Sequence, residues 1–441
     1  MNFNINGLLL FLLCSTSLSA IGQTKTHNKQ IESYFEQRIE NGHTENQLIP
    51  YTNKKGLTTK NWQSAKSDVW AIWKTVNNRM EQLPTLVQAT AEMPTNQWEL
   101  IGEDPMPFYY FKKGELGTNK APLFLNLHGS GPKAMEFKNT AAWALRYQDS
   151  PSIYFIPQIP SERRYRWWLK PVQYAWERMF RLAMLDEKID PNKIFITGIS
   201  EGGYGSQRLG AFYADYLAGI GPMAGGEPLR NAPPVNFKHI AFSLQTGEND
   251  RMFGRNTLTK AAKDTFDILE AKYPGSYQHQ VIIQAGKGHG IDYTTTTPWL
   301  VKFTRNATPT DLHFVFFPMD GRYRKTFYNI ALNSPMKLKE GDKKDRVIFD
   351  VKFNQNTVMV ETYVADAELK DKCLYDDLDF SIFLDERYVD LNKKVKLIYN
   401  GRQILNKKLK LDEASLVEST ALFADPERVF PVKLSVEAKR K

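Results

Sequence analysis

The fold is decided by the stretch Lys193–Gly202, which reads KIFITGISEG. Its first six residues form an apolar run that predicts a short buried strand, and a helix is expected from Glu201 onward. A strand that turns into a helix at G-x-S-x-G holds the serine on a sharp, strained turn with its hydroxyl clear of the sheet. Gly198 and Gly202 carry no Cβ, so the strand and the helix approach each other closely. Ser200 is therefore a candidate nucleophile; the alternative is a glycine-rich structural turn.

Short apolar runs alternate with helical patterns over the middle of the chain. Further strands are expected at residues 97–101, 107–113, 122–127, 153–157, 217–221, 240–246 and 279–284, and further helices at residues 172–186 and 258–272. Strands that alternate with helices in this way pair in parallel through right-handed crossovers. The sequence therefore predicts an α/β fold with a mostly parallel sheet flanked by helices.

A glycine-rich turn ends one of these strands, in the sequence LNLHGSGP of Leu125–Pro132. A hydroxyl that attacks a carbonyl group creates an oxyanion, which needs N–H donors already in place. Glycines at a strand end allow the backbone to turn its amides toward Ser200. We expect one donor to be the amide of Ser130 or of Gly131, and the other to be the amide of Glu201. The alternative is an ordinary turn at the strand exit.

A serine nucleophile also needs a general base. The chain has seven histidines. His289 differs from the others because it lies in the sequence GKGHG, a flexible loop directly after the last expected strand of the central sheet. His128 is expected to be structural and to tie down its own loop. His289 is therefore the expected base, and a surface-loop histidine is the alternative.

The base needs a carboxylate that orients it, and this carboxylate should follow the preceding strand. Residues 247–251 read GENDR at that place. Asp250 is the expected acid and Glu248 is the alternative. Ser200, Asp250 and His289 then stand in this chain order at the ends of three different strands. With the glycine turn in Leu125–Pro132, four features at strand ends occur in the expected chain order. Four such features are harder to explain by chance than one motif.

Two further features are candidates for substrate binding. Residues 163–168 read RRYRWW and follow a strand at the same edge of the sheet as the catalytic loops. Arg166 is expected to pair with an acidic substrate, and Trp167 and Trp168 to stack on a sugar ring or an aromatic acyl group. Trp299 lies near the base in sequence and is expected to form a wall of the pocket. For all three tryptophans the alternative is packing in the core.

Residues 97–305 resemble the α/β-hydrolase superfamily of serine hydrolases. The segments HGSG, GISEGGYGS, GENDR and GHG look most like its secreted esterase branch, which contains feruloyl and acetyl esterases, polyhydroxyalkanoate depolymerase-like enzymes and peptidase-like relatives. The resemblance covers about half of the chain and is specific for the fold and the triad but loose for the substrate. It implies hydrolysis of carboxylic esters by Ser200, Asp250 and His289.

The chain opens with an apolar block followed by small residues, a pattern typical of a secretory signal peptide. Cleavage is expected before Gln23, so that residues 1–22 are the signal peptide and the protein is exported to the periplasm or the exterior. A lipid anchor at Cys14 is the alternative. Cleavage would leave Cys373 as the single cysteine, so we expect no intramolecular disulfide.

Two additions flank the expected catalytic domain, which we place at residues 96–335. Residues 23–95 are expected to be a helical N-terminal segment. Residues 345–441 show alternating apolar and polar runs and are expected to be a small β-rich module, with a hairpin turn at Asn400-Gly401. This module looks like small β-modules appended to some secreted bacterial hydrolases.

Composition excludes several other classes of protein. The chain has 441 residues, 42% of them hydrophobic, and carries 58 basic and 49 acidic residues for a net charge of +9. These values suit a packed globular protein and exclude a disordered or fibrous one. We expect no membrane span, because the leader is the single strongly apolar run and is too short to cross a bilayer. We also expect no nucleic-acid partner, because no basic stripe is concentrated in one segment. No zinc-finger or iron–sulfur spacing occurs, so neither a metal nor another cofactor is expected.

The sequence thus predicts a secreted serine esterase that acts on a small-molecule or glycan ester, with acylated carbohydrate as the expected substrate. Two alternatives remain open. One is a serine peptidase of the same fold, and the other is a non-catalytic binding protein on a hydrolase scaffold. The filled triad positions argue against the second. The oligomeric state is left open by the sequence.

Overall fold

A computed structural model describes residues 26–42, 49–163 and 166–438. The expected signal peptide, the alternative anchor site Cys14, and two residues of the basic aromatic stretch, Arg164 and Tyr165, lie outside the described residues. The N-terminal segment contains helix α1 over residues 26–40, the short strand β1 (Gly56–Leu57) and helix α2 (Trp62–Met80). The described part of this segment therefore contains two helices and one short strand.

A nine-stranded sheet forms the centre of the molecule. Its strands are β2 (Val87–Gln88), β3 (Asn96–Trp98), β4 (Met106–Lys113), β5 (Ala121–Leu127), β6 (Ser152–Pro157), β7 (Ile189–Ile199), β8 (Gly219–Met223), β9 (Ala241–Gly247) and β10 (His279–Gln284). The order across the sheet is β10-β9-β8-β7-β5-β6-β4-β2, with β3 also paired to β4. Strands β6, β5, β7, β8, β9 and β10 lie side by side in this order, and each neighbouring pair is parallel. Strand β4 is antiparallel to β6.

Helices cover both faces of this sheet. They are α3 (Lys133–Arg146), α4 (Lys170–Ala183), α5 (Glu201–Phe212), α6 (Arg255–Lys272) and the short α7 (Thr296–Leu300). Buried side chains of α4, α5 and α6 join one hydrophobic cluster, and those of α3 and α7 join a second one. The predicted fold class, a mostly parallel sheet flanked by helices, is confirmed.

Alternation along the buried strands explains the two clusters. In β5, Leu123, Leu125 and Leu127 belong to the first cluster and Phe124 to the second, because successive side chains point to opposite faces. On the second face a row of stacked rings crosses four adjacent strands, with neighbouring centroids 5.1–5.5 Å apart: Phe111, Tyr154, Phe124 and Phe195. This row fixes the side-to-side packing of the strands that precede the serine turn.

Two more sheets build the C-terminal part. Its elements are β11 (Asp311–Phe316), β12 (Thr326–Phe327), β13 (Ile330–Leu332), β14 (Arg346–Asn354), β15 (Thr357–Ala365), β16 (Lys372–Leu374), β17 (Phe380–Leu384), β18 (Lys394–Tyr399), β19 (Arg402–Lys408), β20 (Leu411–Asp412), α8 (Glu413–Phe423) and β21 (Val432–Val436). One sheet has the order β11-β14-β15-β18-β19, with β16 at β15, and the other has the order β12-β13-β17-β21. Strand β20 pairs with β1 of the N-terminal segment. The β-rich C-terminal addition is present as predicted.

Short 3₁₀ helices occupy Ala214–Tyr216, Leu229–Asn231, Pro234–Phe237, Met252–Gly254 and Pro426–Arg428. The two C-terminal sheets face each other through phenylalanine rings. Phe314 of β11 stacks on Phe327 of β12 at 4.4 Å, and Phe349 of β14 meets Phe380 of β17 at 5.3 Å. The expected hairpin turn joins β18 to β19, and both of its residues have a positive φ, of 45° and 76°.

The C-terminal sheets begin earlier in the chain than the expected boundary at 335–345. Strand β11 pairs with β14, and β13 pairs with β17, although β11 to β13 fall within the range assigned to the catalytic domain. The chain leaves the central sheet after Gln284, the last residue of β10, and enters the C-terminal sheets at Asp311. Strands β12 and β13 have only two and three residues, too few for an alternating pattern, so the sequence did not indicate them.

A buried cluster of charged side chains joins the central sheet to the C-terminal sheets. Its members are Asp215, Arg305, Arg324, Asp425 and Arg428, all of them almost wholly buried. The Nη1 atom of Arg305 lies 2.7 Å from Oδ2 of Asp425, and the Nε atom of Arg428 lies 2.7 Å from the same oxygen. Burial alone would raise the pKa of Asp215, but the guanidinium groups of Arg324 and Arg428 outweigh it and hold that pKa below its ordinary value.

The junction between β7 and α5 has no room for a side chain at its two glycines. A Cβ on Gly198 would lie 2.2 Å from the carbonyl oxygen of Gly202, and a Cβ on Gly202 would lie 2.2 Å from the carbonyl oxygen of Leu127 in β5. Both clashes are with backbone atoms, which cannot turn away as a flexible side chain can. The close approach expected from the sequence is therefore present and locks α5 onto two strands.

We expect Gly202→Ala to lower the free energy of unfolding by about 3 kcal/mol or more, because the new Cβ overlaps backbone atoms of β5. Urea denaturation of both proteins measures the difference. Gly56→Ala is the matched control, since nothing lies within 4 Å of its Cβ position. Equal losses of stability in the two variants would contradict the proposed packing.

Candidate active site

Ser200 lies between the end of β7 and the first residue of α5. Its backbone has φ 57° and ψ −114°, a conformation that residues other than glycine rarely adopt. The Ser200 amide donates a hydrogen bond to the carbonyl oxygen of Met223 at 2.9 Å, which ties the turn to the end of β8. The strained turn predicted from G-x-S-x-G is therefore present, with the side chain only partly covered.

A row of hydrogen bonds joins the three residues predicted to form the triad. The Oγ atom of Ser200 lies 3.0 Å from Nε2 of His289, and Nδ1 of His289 lies 2.7 Å from Oδ2 of Asp250. The Asp250 side chain is 2% exposed, whereas that of His289 is 47% exposed. Because the Asp250 carboxylate accepts a hydrogen bond from Nδ1–H of His289, Nε2 carries no proton and can accept a hydrogen bond from the hydroxyl of Ser200.

The loops that carry the acid and the base are bonded to each other. The amide of Asn249 donates to the carbonyl oxygen of Lys287 at 2.8 Å, and the amide of Gly286 donates to Oε2 of Glu248 at 2.8 Å. The hydroxyl of Tyr293 donates to the carbonyl oxygen of His289 at 3.2 Å. Glu248, the alternative acid, therefore holds the loop of the base by its backbone, while Asp250 contacts the imidazole.

Arg255 is a member of the site that the sequence analysis missed. It is 5% exposed, its Nη1 atom lies 3.0 Å from Oδ1 of Asp250, and its Nε atom donates to the hydroxyl of Tyr204 at 3.0 Å. Phe253 and Gly254 have positive φ, of 56° and 70°, and this turn brings Arg255 back to the carboxylate. Arg255 thus holds one oxygen of Asp250 while His289 uses the other. No local pattern marks such a return, so the sequence offered no signal for it.

The glycine turn after β5 lies beside the nucleophile. A Cβ on Gly129 would lie 3.2 Å from Cβ of Ser200 and 3.2 Å from the carbonyl oxygen of Ile199. Glu201 is the first residue of α5, directly after Ser200. The structure thus places Gly129, the residue before Ser130 and Gly131, against the serine turn, and Glu201 directly follows Ser200.

His128 ties down this turn, as expected. It is fully buried; the amide of Ile159 donates to its Nε2 at 2.9 Å, so Nδ1 carries the proton and donates to the carbonyl oxygen of Gly129 at 2.7 Å. Burial lowers the pKa of His128 from 6.5 to about 4, and the bond to Gly129 opposes that shift. The neutral ring therefore connects the turn to the chain that follows β6.

The four residues predicted to bind substrate have different surroundings. The prediction for Trp167 is wrong: its ring is 0% exposed, and its Nε1 donates to the carbonyl oxygen of His128 at 3.1 Å. Arg166 is exposed and pairs with Glu201, with 3.1 Å between Nη1 and Oε1. Trp168 is half-buried with the guanidinium of Arg208 3.9 Å from its ring centre. Trp167 is buried because it packs against α5 at Gly205, where a Cβ would lie 2.7 Å from atoms of Trp167.

Trp299 lies on α7, and its ring centre is 4.5 Å from that of Phe303. It packs at the margin of the second hydrophobic cluster, which is the alternative considered from the sequence. Within residues 26–42, 49–163 and 166–438, no group of three or more His, Cys, Asp or Glu side chains has an arrangement suited to a metal ion. In the same part of the chain, no helix combines the length and the apolar character that crossing a membrane requires.

Comparisons with known proteins bear on the fold alone. No protein-family model matches the chain, and no curated protein matches it. Among solved structures, a thermostable esterase has 21% identity and a TM-score of 0.39 over 48% of this chain and 63% of its own, so the match spans less than two thirds of that esterase. A ferulic acid esterase from the anaerobic fungus Anaeromyces mucronatus has 12% identity and a TM-score of 0.35, over 48% of this chain and 88% of its own.

A third solved structure is a fluorophosphonate-binding serine hydrolase from Staphylococcus aureus. It has 12% identity and a TM-score of 0.32, over 47% of this chain and 97% of its own. The strand order of the central sheet and the serine turn between β7 and α5 are those of the α/β-hydrolase fold. The resemblance to that superfamily is confirmed at the level of the fold.

The buried neutral ring of His128 predicts a pH dependence of stability. The unfolded chain protonates this ring near pH 6.5, whereas the folded protein resists protonation down to about pH 4. The unfolded state thus binds more protons in this window, so the free energy of unfolding falls as the pH is lowered from 6.5 to 4, by about 3 kcal/mol from this group. Urea denaturation across this range should show a smaller fall for His128→Gln than for the wild type, and equal falls would contradict the assignment.

Proposed function

We propose that this protein is a serine hydrolase that cleaves carboxylic esters through an acyl-enzyme intermediate. The observation that carries the proposal is the hydrogen-bonded row from Ser200 through His289 to Asp250, with atoms 3.0 Å and 2.7 Å apart. Nucleophile, base and orienting carboxylate in this arrangement are the parts that acyl transfer requires. All three positions being filled argues against a binding protein on a hydrolase scaffold.

In the first half of the reaction, Nε2 of His289 takes the hydroxyl proton as Oγ of Ser200 attacks the ester carbon. The carbonyl oxygen becomes an oxyanion, which accepts hydrogen bonds from the amide of Ser130 or Gly131 and from that of Glu201. The bond to the alcohol oxygen then breaks, and the alcohol leaves with the proton from His289. The acyl group remains on Ser200 as an ester.

In the second half, water takes the place of the alcohol. His289 removes a proton from the water as the water oxygen attacks the acyl carbon, and the same amides hold the second oxyanion. The bond to Oγ breaks, Ser200 recovers its proton from His289, and the carboxylic acid is released. Asp250 stays ionised and stabilises the imidazolium formed in each half. These steps require neither a metal nor an organic cofactor.

Acylated carbohydrate is the substrate that we propose. The half-exposed imidazole of His289 leaves the nucleophile open to a large alcohol group. Trp168 and Arg166 lie beside Glu201, next to the nucleophile, and offer a ring and a planar cation to a sugar. Trp167 has no place in this surface because it is buried.

We also propose that the protein is exported after cleavage before Gln23. The support is the apolar leader and the small residues that follow it. In this proposal a helical segment, an α/β-hydrolase catalytic domain and a β-rich module follow the leader. In the same proposal the β-rich part starts at Asp311 rather than after 335, which the pairing of β11 with β14 supports.

A fluorophosphonate probe tests the nucleophile. We expect the wild-type protein to be labelled at Ser200 and Ser200→Ala to lose both labelling and ester hydrolysis, by a factor on the order of 10⁴ or more, because no other residue replaces the attacking hydroxyl. Circular dichroism of both proteins controls for folding. Labelling or turnover retained by folded Ser200→Ala would sink the proposal. Cleavage of an aryl amide as fast as the matching ester would favour the peptidase alternative.

The two acidic residues of the loop after β9 are expected to have different roles. Asp250 orients the imidazole of His289, and Glu248 supports the loop that carries it. We expect Asp250→Asn to lower kcat by about 10³- to 10⁴-fold, because the amide favours the wrong tautomer of His289. Glu248→Gln should cost far less, since the Glu248 carboxylate contacts the backbone amide of Gly286 rather than the imidazole. Steady-state kinetics on one chromogenic ester compare the two, and the opposite ranking would reassign the acid.

A further inference from the structure

Three arginines on or beside the elements that carry the catalytic groups already have carboxylate partners. The pairs are Arg166 with Glu201 at 3.1 Å, Arg208 with Glu227 at 2.7 Å and Arg255 with Asp250 at 3.0 Å. The charge of each of these arginines is therefore already balanced by a protein carboxylate, which weakens its attraction for an acidic substrate. These pairs give less support to an acidic substrate than the sequence suggested for Arg166.

A different carboxylate lies over the glycine turn beside Ser200. Glu136 is in the first turn of α3, and a Cβ on Gly131 would lie 2.8 Å from its Oε1 atom. A Cβ on Gly129 would lie 3.3 Å from Oε2 of Glu136 and 3.2 Å from Cβ of Ser200. Oε2 of Glu136 is therefore at most about 6.5 Å, the sum of these two distances, from Cβ of the nucleophile.

The Glu136 carboxylate has no partner of its own. Within the described part of the chain, no hydrogen-bond donor and no cation contacts it, and burial raises the pKa of Glu136 with no opposing interaction. Neither carboxylate oxygen of Glu136 is a buried atom without a partner, so solvent reaches this carboxylate. A donor group of a bound substrate can take the place of that solvent.

The position of Glu136 limits the chemical class of the substrate group that can bind to its carboxylate. The carboxylate disfavours an anionic substrate, and the net charge of +9 disfavours the approach of a cationic one. A neutral hydroxyl donates to a carboxylate without either penalty. With the ester carbon about 3 Å from Oγ of Ser200, a hydroxyl on the neighbouring sugar carbon is within reach of Glu136.

We propose that Glu136 accepts a hydrogen bond from a free hydroxyl of the sugar, on the carbon next to the one that carries the ester. This inference rests on the proposed function and narrows it, because it selects partly acylated sugars over fully acylated ones. Glu136 is then a substrate-binding residue that acts before and during the attack by Ser200. Nothing in the sequence marked Glu136, since a glutamate in the first turn of a helix is common for its effect on the helix dipole.

Two acetylated methyl glycosides test the proposal, one with the neighbouring hydroxyl free and one with that hydroxyl methylated. We expect the wild type to prefer the free hydroxyl by about tenfold or more in kcat/KM, the usual size of a hydrogen bond to a charged group. Glu136→Ala should lose this preference. Glu136→Gln should keep part of it, because its amide oxygen still accepts, and serves if the alanine variant does not fold.

Glu115→Gln is the matched control, because the Glu115 side chain is 85% exposed and pairs only with Lys112. It should keep the full preference. Equal preference in the wild type and Glu136→Ala would overturn the proposal, as would a stronger effect of Glu136→Ala on an ester that carries an ammonium group. Fluorophosphonate labelling and hydrolysis of 4-nitrophenyl acetate by the wild type test the proposed function separately: if both fail, the hydrolase proposal fails, and if both succeed without a hydroxyl preference, only the role of Glu136 fails.

Discussion

The site depends on a serine held in a backbone conformation that favours glycine. Ser200 has φ 57°, and residues in such regions persist only where the surrounding structure over-determines them. The two glycines that flank it allow α5 to rest on the backbone of β5 and β7, and the bond to Met223 adds β8. Because the glycine turn at Gly129 continues from β5, the same packing also brings that turn against Ser200. Neighbouring strands β9 and β10 then bring Asp250 and His289 to the same edge.

Much of this arrangement could be predicted because it follows from patterns of adjacent residues in the sequence. Buried strands are short apolar runs, and parallel strands end at one edge of the sheet, so residues directly after several such runs meet in space. Ser200, Asp250 and His289 satisfy that rule, and glycines mark the turns where the backbone comes close. The hairpin at Asn400-Gly401 was predictable for the same reason. In each case the signal is confined to a few adjacent residues.

The parts that escaped prediction depend on tight turns of the chain or on contacts between distant segments. Arg255 reaches Asp250, five residues before it, only because Phe253 and Gly254 turn the chain back. Glu136 lies near Ser200 only because α3 lies over the glycine turn. The burial of Trp167 follows from the fit of its ring against α5, which no spacing in its own stretch reveals. Strands as short as β12 and β13 have too few residues for an alternating apolar pattern, so the sequence did not indicate these strands before residue 335.

The buried charged cluster limits which parts of this protein can be removed or exchanged. Asp215 and Arg305 come from the hydrolase part, and Arg324, Asp425 and Arg428 come from the part that follows it. Removing one partner of a buried ion pair leaves an uncompensated charge, at a cost of about 3–5 kcal/mol. The C-terminal sheets therefore share one interior with the central sheet. They cannot be removed or exchanged without leaving the buried charges of Asp215 and Arg305 without their ion-pair partners.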